Sequence, residues 1–382
     1  MSNVLGRRQF LIGSGAVVSV SAFSAACGGA YVSGWDVPAQ PRSSHEEPIV
    51  TTLRYAITAP SAHNTQPWRL ELVSAREARL YTDPDRLLPR TDPPARQIHI
   101  SHGTLLETAV IAASALGLRA EVEVLPEGEL SRADFGRKPT ARIRLVDDAS
   151  AVTDPLFRAV PLRRSSRLAH DGPAPTEDEA RLIRSAAERP GVKVAVRREG
   201  LGPLRALVRR AMALEANDAE LYGETRKWFR FSADEVRSHR DGLNLETTGA
   251  DSLPARLFLN AENFQSESNR ERFLDSFGEV VDSTHAFLAL STAANQMRDW
   301  IETGRAYVRC QLRATLAGLH MHPVSQSQQE LPTMNALGQE LSRMFDVAPP
   351  GKVQMLVRLG RTEPPALSPR RALRTMLVAS SG

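Results

Sequence analysis

The chain has 382 residues, of which 42% are hydrophobic, enough to bury a core in one large domain or in two modules. Its 48 basic residues, almost all arginines, stand against 44 acidic residues, a formal net charge of +4. Charges of both signs alternate along the helical stretches, and the sequence has no basic stripe interleaved with aromatic residues. It therefore predicts no nucleic-acid partner. Two cysteines, Cys27 and Cys310, allow neither a disulfide framework nor a thiolate zinc site, and we predict no metal.

Residues 1–27 are typical of an export signal. The segment Gly-Arg-Arg-Gln-Phe-Leu at 6–11 resembles the twin-arginine translocation signal, and an uncharged stretch of signal-peptide length follows it. That stretch is short and rich in Gly, Ala and Ser, which disfavours a permanent membrane helix. We expect the twin-arginine export machinery to be a partner. Because this route carries folded proteins, the resemblance also implies a cofactor acquired before export.

Residues 28–48 carry Gly, Ser, Pro and mixed charge, which predicts a flexible tether behind the signal. Cys27 is a candidate lipidation site and the only predicted link to a membrane, although Ser24 stands where a lipobox usually has Leu. The expected location is therefore the periplasm, or the cell envelope if Cys27 carries a lipid.

The folded body begins at Ile49. Period-two runs predict strands at 68–73, 78–81, 121–125, 141–146, 192–196 and 353–359. Helical patterns lie at 50–58, 100–117, 177–188 and 284–319. Strands scattered among helices in this order predict an α+β fold, a sandwich of a central mixed or antiparallel sheet with flanking helices. We divide the body into a first half at 49–150 and a second half at 151–382, with a mostly helical excursion at 203–285.

A polar loop pinned by two prolines lies between the first helix and the first strand. It reads Pro-Ser-Ala-His-Asn-Thr-Gln-Pro-Trp at 60–68. Hydroxyl, amide and aromatic groups in one loop can present directional donors to a flat heterocycle. The alternative is an ordinary capped turn, in which His63 would be a solvent-facing turn histidine.

Two arginine clusters occur far apart in the chain. The first, Arg-Arg-Ser-Ser-Arg at 163–167, packs three guanidinium groups that repel one another unless an anion lies among them. Phosphate matches the fork geometry of guanidinium groups. A solvated basic turn is the alternative. The second cluster, Ser-Pro-Arg-Arg at 368–371, means little alone.

Together these segments resemble the nitroreductase superfamily of flavoproteins. Its members have an Arg-x-Ser-x-Arg/Lys motif on the first helix and then a Pro-Ser-x-x-Asn-x-Gln-Pro-Trp loop, and two subunits share each FMN. Here the order is reversed, since the first half has the loop and the second half has the arginine motif. This arrangement resembles the Acg-like branch, which is known for two fused units and a single flavin. The resemblance implies a monomeric pseudo-dimer with one FMN between its halves.

The resemblance also implies roles for individual residues. Arg163, Arg164, Ser165 and Arg167 would hold the FMN phosphate and ribityl chain, and Arg370 or Arg371 would close over the phosphate. The isoalloxazine edge would be lined by Pro60, Ser61, Ala62 and Asn64, while Gln66 and Trp68 would shape the loop. The backbone at Pro323 and Val324 matches a segment that donates to the ring near N5 in the superfamily, although the sequence there departs from the family pattern.

Two functions follow from the resemblance. In the first, the protein is an oxidoreductase that transfers hydride or electrons through flavin N5, from a small-molecule donor to a nitro, quinone or similar acceptor. No catalytic side chain is then required, because the flavin supplies the chemistry. In the second, the protein sequesters or stores the flavin, and the excursion covers the ring. Trp228, Phe229 and Phe231 in the excursion would then form a lid, or would simply pack in the core.

Overall fold

A computed structural model describes residues 46–379, apart from the side chain of Leu253. The twin-arginine segment, Cys27 and nearly all of the tether lie outside the described residues. Between residues 46 and 379, no helix is long and apolar enough to cross a lipid bilayer.

The first half contains two helices and four strands. These are α1 (Pro48–Ala56), β1 (Trp68–Ser74), β2 (Glu77–Thr82), α2 (Arg96–Ala115), β3 (Leu118–Val124) and β4 (Ala141–Asp147). The strands pair antiparallel in the order β1, β2, β4, β3.

The second half opens with α3 (Glu177–Ala186) and β5 (Val192–Arg197). The excursion follows, with α4 (Gly202–Asn217), α5 (Ala219–Lys227), β6 (Phe229–Arg230), α6 (Ala233–His239), β7 (Leu243–Asn244), α7 (Leu245–Thr248), α8 (Leu253–Phe258) and α9 (Glu267–Asp282). The chain then forms β8 (Ala286–Thr292), α10 (Met297–Leu316), β9 (His320–Pro323), α11 (Asn335–Met344), β10 (Lys352–Gly360) and β11 (Leu377–Val378).

The two halves repeat one topology. The second sheet has the order β5, β8, β10, β9, again antiparallel, so each of its strands has a counterpart in the first sheet. The excursion stands where the first half has the short turn between β1 and β2. The last strand, β11, leaves the second half and pairs parallel with β1 of the first sheet. The predicted α+β architecture of two fused units is confirmed.

Local sequence signals explain most of the elements. Thr176 caps α3, since its hydroxyl accepts from the Glu179 N–H at 3.2 Å and the Glu179 carboxylate accepts from the Thr176 N–H. The six strands predicted from period-two runs are confirmed, with ends that differ by up to three residues.

The long helix predicted at 284–319 is wrong in its first third. Residues 286–292 form β8, the second strand of its sheet, and all seven are buried. Leu288 and Leu290 face the main core, whereas Phe287 and Ala289 face a second core beneath α4 and α9. A strand buried on both faces is a continuous apolar run without alternation, so its pattern cannot be told from that of a buried helix.

The halves meet where α2 crosses α10. Each helix has 20 residues, and the eighth is a glycine, Gly103 in α2 and Gly304 in α10. A Cβ added to Gly103 would lie 1.9 Å from the Ile301 carbonyl oxygen, and one added to Gly304 would lie 1.9 Å from that of Ile100. The backbones therefore touch, and the two contacts are related by a pseudo-twofold axis.

We expect Gly103→Ala and Gly304→Ala each to lower the free energy of unfolding by about 3 kcal/mol, because the added methyl group meets backbone that cannot rotate away. Urea unfolding followed by circular dichroism measures this loss. Gly202→Ala is the matched control, since a Cβ added to Gly202, the first residue of α4, would have no atom within 4 Å. Equal stability of Gly103→Ala and Gly202→Ala would contradict the close crossing.

Candidate functional site

The 60–68 loop is held in an unusual backbone conformation. His63, Asn64 and Gln66 all have positive φ, at 46°, 53° and 50°. Residues other than glycine rarely adopt this conformation, and it costs free energy that surrounding contacts must offset. Hydrogen bonds from within the loop and from α2 provide such contacts. The Ser61 hydroxyl accepts from the Gln66 N–H at 3.0 Å.

Side chains of α2 fix the start of this loop. The Ser101 hydroxyl accepts from the Ala62 N–H at 3.1 Å, and the Thr104 hydroxyl donates to the Pro60 carbonyl at 2.6 Å. Trp68 at the far end is fully buried in the core. Hydrogen bonds and burial therefore attach both ends of the loop to the first half.

The arginine segment of the second half reaches the end of α1 in the first half. Arg163 is buried and donates from Nη2 to the Thr58 carbonyl at 2.8 Å. Gln311 of α10 supports the segment, because its amide donates to the Ser165 hydroxyl at 3.2 Å and its oxygen accepts from Arg163 at 3.4 Å. Ser166 donates its N–H to the Met321 carbonyl at 3.1 Å, which attaches the segment to β9.

The tail meets the same loop from another side. Arg370 is buried, and its Nη1 donates to the Asn64 side-chain oxygen at 2.8 Å. Its Nη2 donates to the Thr58 and Ala59 carbonyls at 3.0 and 3.1 Å. Arg371 donates its N–H to the Gln66 side-chain oxygen at 2.8 Å. The Arg370 guanidinium is thus used within the protein, and its contact with a phosphate stays a prediction.

We call the place where the 60–68 loop, the 163–167 segment and the tail at 370–371 lie together the junction. The excursion covers this junction. The Gly242 N–H donates to the Asn64 carbonyl at 3.1 Å, and the Asn64 amide donates to the Gly242 and Pro369 carbonyls, each at 3.1 Å. Arg167 donates to the Thr247 carbonyl at 3.0 Å. Since the Asn64 amide is bonded to excursion and tail, its role at a flavin ring also stays a prediction.

A buried carboxylate joins the excursion to the first half. Asp241 accepts from Arg86 at 2.8 Å and from Arg230 at 2.6 Å. Both guanidinium groups lie 5.8 Å from the centre of the Trp228 ring, which is buried in the main core. Phe229 packs instead with Tyr222, Leu243 and Phe264 in a separate cluster of the excursion. The aromatic residues are therefore packed side chains, while the segment at 240–247 lies against the loop.

In the segment predicted to face flavin N5, two of the three residues at 323–325 have no backbone N–H left to donate to a ring. Pro323 has no N–H, and the Val324 N–H donates to the Leu356 carbonyl at 2.8 Å. Of the residues at 323–325, this leaves Ser325 as the backbone donor that could serve a ring, so the roles given to Pro323 and Val324 stay predictions.

The electrostatics of the junction favour an anion. Arg164 and Arg167 form no ion pair within the described part of the chain. Burial lowers the pKa of both Arg163 and Arg167 to about 10, so they stay charged at neutral pH. Two buried nitrogens, His63 Nδ1 and Arg164 Nε, have no hydrogen-bond partner among residues 46–379. Concentrated positive charge with unsatisfied nitrogen atoms is what an anionic ligand with several oxygen atoms would complement.

Two aromatic side chains at the junction are uncharged at neutral pH. Burial, followed by the nearby Arg167, lowers the pKa of His63 to about 4. Burial also raises the pKa of Tyr307, which lies close to Arg163 and Arg167, above its ordinary value. Neither group offsets the positive charge of the arginines.

Several residues of this junction carry no signal in the sequence. Four of them lie in the helices α2 and α10: Ser101, Thr104, Tyr307 and Gln311. The fifth, Gly242, lies in the excursion. The pseudo-repeat of α2 and α10 around Gly103 and Gly304 could have located the helix residues.

The pseudo-twofold axis gives the junction a counterpart, which is closed. Ser101 and Thr104 correspond to Glu302 and Arg305 of α10, and the long loop at 57–67 corresponds to a short one at 187–191. At this counterpart the carboxylate of Glu107 is buried. It pairs with three guanidinium groups at 2.9 to 3.1 Å, those of Arg189, Arg305 and Arg309. Arginines are present here too, but Glu107, Glu302 and Asp154 already pair with them.

Within residues 46–379, no three His, Cys, Asp or Glu side chains are placed to hold a metal ion. Cys310 is fully buried in α10, and burial raises the pKa of its thiol to about 12.

Curated relatives identify the family. A Mycobacterium tuberculosis H37Rv protein named "Putative NAD(P)H nitroreductase" is 30% identical over 337 residues, covering 86% of this chain and 90% of the relative. A second from the same organism, "Putative NAD(P)H nitroreductase acg", is 25% identical over 352 residues, covering 85% of this chain and 93% of the relative. No protein-family model matches the chain. The chain belongs to the nitroreductase family, within its Acg-like branch.

Solved nitroreductase structures align with parts of the chain. An FMN-dependent nitroreductase, NfnB of Mycobacterium smegmatis, solved in complex with NADPH, is 17% identical with a TM-score of 0.38 and covers 57% of this chain and 94% of its own. A nitroreductase with bound FMN from Bacteroides fragilis is 15% identical with a TM-score of 0.33 and covers 58% of this chain and 95% of its own.

We expect Arg370→Ala to lower the free energy of unfolding by about 3 kcal/mol. The substitution removes a charged donor from the buried Ala59 carbonyl and from the Asn64 side-chain oxygen. It also leaves the Thr58 carbonyl with only its bond from Arg163. Thermal and urea unfolding measure the loss. The neighbouring Arg371→Ala is the matched control and should cost less than about 1 kcal/mol, since that side chain is partly exposed and donates to only two carbonyls. Equal losses would show that Arg370 does not hold the loop.

Proposed function

We propose that this protein binds one FMN at the junction of its halves and acts as a nitroreductase-like oxidoreductase. The observation that carries the proposal is that the 163–167 segment of the second half bonds the first half just before the 60–68 loop, through the bond from Arg163 to the Thr58 carbonyl. Arg370 of the tail donates to the same carbonyl and to Asn64 of the loop. Each half supplies the part of a flavin site that the other lacks. The family relationship and the FMN in the names of related structures support the same cofactor.

The residues present fit such a ligand. Arg163, Arg164, Ser165 and Arg167 would bind the phosphate and ribityl chain, and the backbone of the 60–62 segment with Asn64 would position the ring. When bound, FMN supplies the redox chemistry, so the protein needs no catalytic side chain. The protein's part is to orient the ring, to hold the positive charge near the phosphate and to control access.

Donor, acceptor and location belong to the same proposal. The relatives' names support a reduced nicotinamide as donor and a nitro compound as acceptor. A quinone or similar molecule is the other acceptor that we propose. We further propose that the chain works as a monomer, exported by the twin-arginine route to the periplasm or anchored at the envelope through Cys27. Fractionating cells that carry Arg7→Lys with Arg8→Lys tests the export step, because blocked export would keep the protein in the cytoplasm.

We expect one FMN per chain, and we expect the two ends of FMN to respond to different substitutions. Arg167→Ala should weaken FMN about ten- to a hundredfold and riboflavin much less, because riboflavin lacks the phosphate. Asn64→Ala should weaken both ligands equally. Fluorescence titration of the apoprotein measures the affinities, and mass spectrometry of the released ligand gives the stoichiometry.

Arg181→Ala is the matched control for these titrations, because Arg181 pairs with Asp178 on an exposed face of α3. The ratio of the affinities for FMN and riboflavin is insensitive to a general loss of folding, because such a loss would weaken the binding of both ligands alike. Two flavins per chain would contradict the closure around Glu107. An unchanged ratio for Arg167→Ala would contradict phosphate binding at that residue.

A second function is favoured by the excursion that lies against the loop. If the excursion stays closed, the protein would sequester FMN rather than turn over, as the contacts of Gly242, Asp241 and Thr247 suggest. A closed excursion would exclude a nicotinamide while admitting a small reductant.

For a closed excursion, we expect stopped-flow reduction of the bound FMN by NADPH to be very slow and bleaching by dithionite to be fast. Asp241→Asn should accelerate the NADPH reaction about tenfold or more, because it weakens two buried ion pairs and a shift of 1.4 kcal/mol changes an opening equilibrium tenfold. Asp234→Asn, in an exposed pair on α6, should leave the rate unchanged. Rapid reduction of the wild type by NADPH would exclude sequestration and support the oxidoreductase.

A further inference from the structure

A cavity of about 460 Å³ lies apart from the junction that we assign to the flavin. It opens where the loop before α2, the loop between β3 and β4 and the first turn of α10 meet. Its buried walls are Leu130, Phe135, Met297 and Trp300. None of the residues predicted to bind the flavin lines it.

The pseudo-twofold axis shows what fills the equivalent space in the other half. Arg96, the first residue of α2, corresponds to Met297, the first residue of α10. The Arg96 side chain is buried and donates to the Gln328 carbonyl at 3.0 Å and to the Gln354 carbonyl. At Met297 the longer, hydrogen-bonded side chain is missing, and a cavity is present instead. One pseudo-equivalent position is thus packed and the other is hollow.

The polar atoms of Trp300 and of His99, which lies behind the cavity walls, already have hydrogen-bond partners within the protein. The Trp300 indole N–H donates to the Asn295 side-chain oxygen at 2.7 Å. His99, whose ring lies 5.2 Å from that of Phe135 and 6.1 Å from that of Trp300, is hydrogen-bonded through both nitrogens, to the Ala95 carbonyl and to Thr82. Burial lowers the pKa of His99 to about 4, so this ring is neutral. The walls therefore favour an apolar occupant with an aromatic face.

Size and rim narrow the class of occupant. A dry cavity of about 150 Å³ holds one benzene ring, so about three times that volume admits a molecule of two fused rings. Small-molecule sites commonly begin at about 300 Å³. The polar groups that line the cavity, Glu129, Arg132 and Gln296, are exposed and lie at its mouth. A ligand would place its polar end there.

We propose that this cavity is a second small-molecule site, which binds a flat two-ring aromatic molecule with one polar end at the Arg132 and Gln296 rim. The site is built from residues that differ from those at the flavin junction, so the proposal stands whether or not the protein binds FMN. It predicts binding that neither requires nor displaces a flavin.

The experiment is calorimetric titration of 2-naphthol into the purified full chain, with and without added FMN. We expect saturable binding of one 2-naphthol per chain. Leu130→Trp, which fills the cavity, should weaken binding at least tenfold. The matched control is Leu182→Trp, because Leu182 lies on the exposed face of α3 and its substitution leaves the cavity unchanged. Met297→Trp is the second filling variant, used if Leu130→Trp does not fold.

Three results would overturn the proposal. The first is no heat of binding to the wild type up to the solubility limit of 2-naphthol. The second is wild-type affinity in a folded filling variant. The third is competition between 2-naphthol and FMN, which would assign the binding to the flavin junction and not to the cavity.

Discussion

The contact between the backbones of α2 and α10 at Gly103 and Gly304 is the point at which the two halves of the molecule are joined. Two helices approach this closely only where neither has a side chain at the crossing point. Ser101 and Thr104 lie within one turn of Gly103 in α2, and Tyr307 and Gln311 lie within two turns of Gly304 in α10. The first pair holds the 60–68 loop, and Gln311 holds the 163–167 segment. Two motifs about a hundred residues apart are therefore held at one junction.

The same crossing creates two pseudo-equivalent junctions that have become chemically different. At one, Arg163 and Arg370 donate to carbonyl oxygens, and Arg164 and Arg167 make no ion pair with any described residue. At the other, Glu107 accepts from three arginines, and Glu302 and Asp154 complete a network. Both junctions bury guanidinium groups, which are stable only when charge or hydrogen bonding compensates desolvation. Internal carboxylates close one junction, whereas the other keeps positive charge available to an anion.

The sequence predicts the parts of this arrangement that depend on local pattern. Alternation predicts the strands, Thr176 marks the start of α3, and the Pro-Ser-x-x-Asn-x-Gln-Pro-Trp loop indicates the family. It does not predict β8, because burial on both faces removes the alternation. Nor does it predict that Asn64 bonds Gly242 and Pro369, which lie 178 and 305 residues away along the chain. Such contacts depend on the path of an excursion whose helices have ordinary amphipathic patterns, so no short motif marks them.

Access to the site and the geometry of the site are coupled through Asn64 and Gln66. The Asn64 side chain bonds the excursion at Gly242 and the tail at Pro369 and Arg370. Gln66 bonds the excursion at Arg240 and the tail at Arg371. An excursion that moved away would break bonds that also stabilise two residues with positive φ, so opening would loosen the 60–68 loop. Ligand binding that orders the loop would in turn favour the closed excursion, because a coupling free energy acts equally in both directions.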